Sequence, residues 1–217
     1  MKNLIGTLKS LNRKERFFLV GAALDKPDFQ LGKEYARVLS KWFKLDVPYK
    51  KSWVAMDYHL DWISTALHVT HNQLSLGERW VNPKDCPIVK GTQEDVDLIV
   101  GFERAGTTVL LLVEAKAATR WTDSQQKSKS DRLTRIFGAK ADRYPGVEPH
   151  FALTSPSRPD DDIASRWPCW MAPEGPPIWF PLTLHPDRRR VVRCDENGRS
   201  NKDGEWAVVK PDKISKC

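Results

Sequence analysis

The sequence predicts an α/β fold in which helices flank a mixed central β-sheet, with a helical N-terminal region and a C-terminal β-hairpin appendage. Residues 95–116 contain two apolar runs rich in β-branched residues around a glycine-containing turn, which is typical of a buried hairpin. Residues 30–45 carry apolar side chains at helical spacing. After the hairpin, a polar helical segment precedes another apolar strand. A hairpin, a crossover helix and a further strand together give a mixed sheet covered by helices.

The 217 residues are enough for a single domain with a substantial core. We expect a helical region over 1–72, a core over 73–155 that also uses the helix at 30–45, and a Pro- and Trp-rich segment with a hairpin over 156–217. The four cysteines form no CxxC pair, which argues against a structural zinc site and fits a reducing compartment. We find no signal peptide and no apolar run long enough for a membrane span. We therefore expect a cytoplasmic protein that does not bind membranes.

The N-terminal region is predicted to hold three helices. The first covers Leu11 to Leu24, with Asn12 as its cap, and the second covers Gln30 to Leu45. The segment from Ser52 to His71 is aromatic and apolar enough to form a third, largely buried helix. Residues 72–94 are predicted to be a loop, with a short strand near 87–89.

The central hairpin is predicted to run from Val96 to Glu103 and back from Thr108 to Ala117. If it folds symmetrically about Ala105 and Gly106, Asp97 lies directly across from Glu114. Opposed residues on antiparallel strands have Cβ atoms about 5 Å apart. Side chains alternate between faces, so Glu114 and Lys116 share one face. The hairpin therefore gathers two carboxylates and a lysine at one end of an apolar sheet.

The elements after the hairpin complete the sheet. A helix capped by Thr122 or Asp123 is predicted to end near Gly138, and a strand is predicted over 147–154. The last element is predicted to be a second hairpin, with strands over 189–194 and 205–210.

The net charge of +7 is distributed unevenly along the chain. Residues 52–116, which contain the hairpin, carry five basic and nine acidic side chains, whereas residues 1–51 and 117–143 are strongly basic. Basic surfaces around an acidic centre are expected of a cation site that faces a polyanion. The same charges also fit an ordinary basic protein with solvated faces. The absence of a GxxxxGK[ST] loop argues against a nucleotide-driven motor.

Charged side chains at the edge of an apolar sheet are costly unless something binds there. Magnesium prefers hard oxygen ligands and is held by one or two carboxylates together with substrate phosphates. The alternative is a plain cross-strand ion pair, although two facing carboxylates repel each other without a cation.

Asp97 on one strand and Glu114-Ala115-Lys116 on the next resemble the PD-(D/E)xK nuclease superfamily, which has the restriction-endonuclease-like fold. The order of helix, Asp-bearing strand, Glu-x-Lys strand, helix and strand over residues 30–155 is similar to that family's core. The resemblance implies a divalent metal, Mg²⁺ with Mn²⁺ as the alternative, held by Asp97, Glu114 and the backbone carbonyl of Ala115. It also implies that Lys116 orients the attacking water and stabilises developing charge.

The resemblance further implies an acidic residue from the preceding helix, for which Glu34 is the matching candidate. Polar residues of the following helix, Gln125, Gln126 or Lys129, are candidates for a supporting role. We take Gln125, Lys129 and Arg132 as the candidate nucleic-acid contacts of that helix.

The chain departs from the family pattern in one position and leaves another open. Val96 stands where the family's motif has proline. Asp95 lies on the same face as Asp97, so the metal-ligating aspartate is either of the two. Trp167 either stacks on a base or fills the core, and the run at 188–190 either contacts phosphates or is one exposed basic strand.

The sequence thus predicts a metal-dependent nuclease that hydrolyses phosphodiester bonds, with DNA as the favoured substrate and RNA as the alternative. The alternatives are a nucleic-acid-binding or assembly module that does not cleave, and a small-molecule hydrolase that uses carboxylates and a metal. Nucleases of this class are often regulated by partners, so a homodimer or a partner protein stays open.

Overall fold

The computed structural model describes residues 3–74, 94–117, 123–159, 167–197, 199 and 201–209. Within these ranges the chain is mixed α/β. The helices are α1 (Leu4–Leu11), α2 (Glu15–Ala23), α3 (Lys33–Phe43), α4 (Leu60–His71) and α5 (Asp123–Phe137). The strands are β1 (Trp53–His59), β2 (Asp95–Arg104), β3 (Thr107–Ala115), β4 (Val147–Ser155), β5 (Ile178–Pro181), β6 (Arg190–Cys194) and β7 (Glu205–Val209).

Five strands form one mixed sheet in the order β1-β2-β3-β4-β5. Strands β1, β2 and β3 are antiparallel, whereas β3, β4 and β5 run parallel. Helix α5 connects β3 to β4, because parallel neighbours need a crossover. Strands β6 and β7 form a separate two-stranded sheet. The mixed sheet with flanking helices and the C-terminal hairpin confirm the coarse fold prediction.

The apolar side chains of β3 supply the core on both faces of the sheet, as expected for a central strand. Leu110 and Leu112 pack in a cluster with residues of α1, α4 and α5. Val109, Leu111 and Val113 point to the other face, into a cluster with residues of α3. Helix α5 therefore covers the face onto which every second residue of β3, including Glu114, is directed.

The predicted hairpin register is confirmed. Leu98 pairs with Val113 at one end of the ladder, and Arg104 pairs with Thr107 at the turn. Both turn residues have positive φ, at 49° for Ala105 and 83° for Gly106. A two-residue loop of this kind matches the twist of the flanking strands and fixes which residues face each other.

The prediction of one helix from Ser52 to His71 is wrong in its first half. Trp53–His59 forms strand β1, which pairs with β2, and only Leu60–His71 is helical. Aromatic and apolar residues fit both structures, and the exposed edge of β2 decides in favour of the strand. Strand β5 was not predicted. The short strand proposed near 87–89 lies outside the described residues.

The first predicted helix is two helices with a break between them. Helix α1 ends at Leu11 and α2 begins at Glu15. Asn12 is therefore the C-cap of α1 instead of an N-cap: its backbone N–H donates to Lys9 O, and its side-chain oxygen accepts from the backbone N–H of Lys14.

No helix in the described ranges is long and apolar enough to span a bilayer.

Candidate carboxylate–lysine site

The hairpin brings Asp97 and Glu114 together at the end of the sheet that lies away from the turn. Continuing the β2–β3 register by one residue from Leu98 and Val113 places the two carboxylates opposite each other. The Oδ2 atom of Asp97 accepts a hydrogen bond of 2.6 Å from the backbone N–H of Ala115. Asp97 is thereby fixed to the strand that carries Glu114.

Lys116 follows β3 directly and stays at the sheet. Its backbone N–H donates to Thr154 O over 2.9 Å, so β4 holds the chain at this point. Lys116 and Glu114 line the same cavity. The predicted meeting of Asp97, Glu114 and Lys116 at one end of the hairpin is thus what the structure has.

Lys129 of α5 adds a second cation to this cluster. Its Nζ lies 3.1 Å from Glu114 Oε2, and the two side chains are only 10% and 13% exposed. The same ammonium group donates to the backbone carbonyl of Asp95. Lys129, which the sequence offered as a substrate contact, therefore lies among the carboxylates beneath α5.

Burial dominates the electrostatics of both carboxylates. Removal from water raises the pKa of Glu114 to about 7, although the neighbouring Lys129 acts in the opposite direction. Burial also raises the pKa of Asp97, against the lowering effect of the Ala115 N–H and of Lys129 and Lys116. Perturbed carboxyl groups of this kind cluster at functional sites, and they also occur in structural ion-pair networks.

The structure distinguishes the two aspartates that the sequence left open. Asp95 Oδ2 lies 3.2 Å from Lys14 Nζ, so its carboxylate has a partner in the N-terminal region. Asp97 instead faces Glu114 and contributes to the raised pKa of that residue. We therefore keep Asp97 as the candidate metal ligand.

Two residues predicted for the site lie elsewhere. The Glu34 carboxylate is 78% exposed and pairs with Arg37 on its own helix, over 2.7 Å. Arg132 is buried, with 3% of its side chain exposed, and its guanidinium pairs with Asp61 of α4. Glu34 is thus an exposed helix residue and Arg132 an internal link between α4 and α5. Gln125 is exposed and does line the cavity beside Glu114.

A cavity of about 250 Å³ lies between the sheet and α5, and Glu114 and Asp95 are among the residues that line it. Phe151, Leu153 and Trp167 line its apolar part, and Gln126 projects into it from the helix. The sequence considered Gln126 only as a family-implied candidate and did not predict its burial. Its spacing from Leu133 and Phe137, seven and eleven residues on, could have indicated the buried face of α5.

The donor set fits a magnesium ion. Two carboxylates, Asp97 and Glu114, converge beside the carbonyl end of β3, and Mg²⁺ is commonly bound by one or two carboxylates together with substrate phosphates. Within the described ranges, no three His, Cys, Asp or Glu side chains come together as a self-sufficient metal site. A metal held by Asp97 and Glu114 would complete its coordination with water or with oxygen atoms of the substrate.

Comparisons of this chain with protein-family models, with curated proteins and with solved structures find no match. The functional assignment therefore depends on the geometry of the site.

Proposed function

We propose that this chain is a metal-dependent nuclease with a restriction-endonuclease-like core, which hydrolyses phosphodiester bonds in DNA. The observation that carries the proposal is the convergence of Asp97, Glu114 and Lys116 at one end of the β2–β3 hairpin. Both carboxylates are largely buried there, and burial raises the pKa of each. Such a cluster is costly to fold around, which supports a binding role for it.

In this proposal, each residue of the site has a distinct role. Asp97, Glu114 and the backbone carbonyl of Ala115 would hold Mg²⁺, with Mn²⁺ as a substitute. When bound, the ion would supply positive charge at the phosphoryl group and would lower the pKa of a water molecule. Lys116, beside the carboxylates, provides a fixed positive charge towards the developing negative charge, the kind of term that often dominates such catalysis.

The surroundings support a polyanionic substrate. The chain carries a net charge of +7. Arg188 Nη1 donates to the carbonyl of Ala117, the residue after Lys116, over 3.2 Å. This hydrogen bond brings the arginine run at 188–190, which leads into β6, close to Lys116. Arginines beside the site can contact the phosphates that flank a cleaved bond.

The second candidate is a nucleic-acid-binding or assembly module that does not cleave. One observation favours it: the ammonium group of Lys129 already balances the charge of Glu114 without a metal. A buried ion pair of this kind can be purely structural. The two candidates make different predictions for DNA in the presence of a divalent cation: the nuclease cleaves it, and the module only binds it.

The test is incubation of the purified chain with linear, circular and single-stranded DNA and with RNA. Each substrate is combined with Mg²⁺, Mn²⁺ or a chelator, and Asp97→Asn is assayed beside the wild type. We expect cleavage of DNA that requires the metal and is lost in Asp97→Asn. Cleavage that survives the substitution contradicts the site. Binding of DNA without cleavage of any substrate contradicts the nuclease and supports the module.

A further inference from the structure

The cavity beside Glu114 combines charged and apolar lining residues. Asp95, Glu114, Lys116 and Lys129 provide its charged lining. The interior is lined by Phe151 and Leu153 of β4 and by Trp167. A ligand that fits this arrangement carries charge at one end and a flat apolar body at the other.

Gln126 is the least expected residue of this interior. Its side chain is 3% exposed, and in the described part of the chain neither its amide oxygen nor its amide nitrogen has a hydrogen-bond partner. A buried amide without partners destabilises a folded protein, because both groups lose water and gain nothing in return. The side chain therefore offers one acceptor and two donor hydrogens to a ligand in the cavity.

Trp167 offers a third unpartnered group beside the same cavity. It is 8% exposed, and its indole Nε1–H has no hydrogen-bond partner within the described ranges. Its ring stacks on Phe151, with centroids 5.1 Å apart and an interplanar angle of 26°. The interior thus combines an aromatic wall with donors and an acceptor, the elements that bind the face and the edge of a nucleobase.

The size of the cavity limits what can enter. Its volume of about 250 Å³ is below the range of about 300–1,000 Å³ that is usual for drug-sized ligands. A stacked base pair is too large for it, and a single base must leave the duplex to enter. The lysines and carboxylates of the lining would then be available to the sugar and the phosphate.

We propose that this cavity is a pocket for one unpaired nucleobase of the substrate, in which Gln126 and Trp167 hydrogen-bond the edge of the base. The proposal rests on the proposed nuclease function, and it makes the substrate a single-stranded or locally unpaired polymer. In this proposal Gln126 determines specificity, and the carboxylates Asp97 and Glu114 retain their proposed role in binding the metal.

The test uses the full chain in an Asp97→Asn background, so that binding is measured with Mg²⁺ present and without cleavage. The probes are a single-stranded oligodeoxythymidylate, an abasic deoxyribose-phosphate chain of equal length and a blunt duplex. Gln126→Met keeps the length of the side chain and removes its polar groups, so the variant is expected to fold and to be at least as stable as its parent. Gln30→Met makes the same change at an exposed position away from the cavity.

We expect Gln126→Met to weaken binding of the oligodeoxythymidylate about tenfold, as loss of one base contact should. Binding of the abasic chain should be equally weak with and without the substitution, and Gln30→Met should stay within twofold of its parent. Equal binding of the oligodeoxythymidylate by Gln126→Met and its parent overturns the pocket, and so does tighter binding of the duplex. Either result would mean that the cavity holds water or a small molecule unrelated to nucleic acid.

The outcome is separable from that of the nuclease itself. If the Asp97-containing chain cleaves DNA but Gln126→Met binds as its parent does, only the pocket is wrong. If Gln126→Met loses base-dependent binding and no substrate is ever cleaved, the pocket stands and the nuclease activity is wrong.

Discussion

Carboxylates and cations lie together at both ends of the β2–β3 hairpin, but the pKa of the carboxyl group shifts in opposite directions at the two ends. At the turn, Arg104 Nη2 lies 2.6 Å from Glu148 Oε2, and His150 Nε2 lies 2.9 Å from Glu148 Oε1. Burial alone would raise the pKa of Glu148, but its hydrogen bonds to Arg104 and His150 outweigh burial and lower it. At the opposite end, burial outweighs Lys129 and raises the pKa of Glu114 to about 7.

The difference makes the Glu114 cluster the better candidate for a functional site. Glu148 is 36% exposed and fully satisfied by its neighbours, which describes an ordinary surface ion pair. Glu114 is 13% exposed, faces a second carboxylate and opens onto a cavity. Burial that raises the pKa of a carboxyl group destabilises its charged form. We therefore expect a functional role at the Glu114 end and not at the Glu148 end.

The largest difference between the two ends should be in catalysis. Lys116→Ala should lower the rate of Mg²⁺-dependent DNA cleavage by about 10²–10³-fold, because it removes a fixed charge from the reacting phosphate. Arg104→Ala removes a cation from the other end and should leave the rate within twofold. The measurement is the initial rate of cleavage of a linear duplex and of a single strand. Equal rates for the two variants would show that the site end has no special role.

The second difference should be in stability. Lys129→Met should lower the free energy of unfolding by about 1–3 kcal/mol at pH 8, because the buried Glu114 carboxyl group loses the cation that favours its charged form and is left without that hydrogen-bond partner. Arg104→Met, at a half-exposed pair, should cost less than about 1 kcal/mol. Urea denaturation measures both. The double variant Lys129→Met/Glu114→Gln should regain most of the loss, and a failure to do so would mean that Lys129 stabilises the fold through other contacts.

The two ends should also differ in the sign of their pH dependence. The pKa of Glu114 is raised from 4.5 to about 7, so the folded chain holds the proton more tightly than the unfolded chain does. Its contribution to stability should therefore fall by about 3 kcal/mol as the pH rises from about 4.5 to about 7. Glu148, with a lowered pKa, should have the opposite sign and lose stability as the pH falls.

Urea denaturation at pH 5 and pH 8 in chelator, for the wild type, Glu114→Gln and Glu148→Gln, separates these contributions. Glu114→Gln should gain stability relative to the wild type between pH 5 and pH 8, whereas Glu148→Gln should run nearly parallel to the wild type over this range, because a lowered pKa changes the contribution of Glu148 only at about pH 4.5 and below. A Glu114→Gln profile parallel to the wild type would contradict the raised pKa of Glu114.

The smallest effect is expected at Glu34, which belongs to neither end. Its exposed pair with Arg37 is worth at most about 0.5 kcal/mol. Glu34→Gln should therefore change the free energy of unfolding by no more than about 0.5 kcal/mol. It should change the cleavage rate by less than twofold. Thermal unfolding and a cleavage assay check this, and a large loss of cleavage with intact folding would return Glu34 to the site.

The sequence predicted the hairpin well because its register is a local property. Positive φ at Ala105 and Gly106 is typical of a tight two-residue loop, and once that loop is fixed, counting outwards places Asp97 across from Glu114. Strand β1 was missed because the apolar residues of Trp53–His59 also fit a helix, and only pairing with β2, some forty residues further on, decides between them.

The part of the site contributed by α5 could be predicted only in part. Helical spacing from Leu133 could have shown that Gln126 is buried. The pairing of Lys129 with Glu114 depends on how α5 packs over the sheet, which periodicity does not give. The same packing turns Arg132 inward to Asp61, so an arginine expected at the substrate is internal.

The most direct test of the nuclease proposal compares the two glutamates under identical conditions. Mg²⁺-dependent cleavage of DNA is measured for Glu114→Gln and Glu148→Gln, with circular dichroism confirming that both are folded. We predict that Glu148→Gln cleaves at the wild-type rate and that Glu114→Gln cleaves no faster than the chelator control. Cleavage by folded Glu114→Gln at the wild-type rate would contradict the assignment of the site.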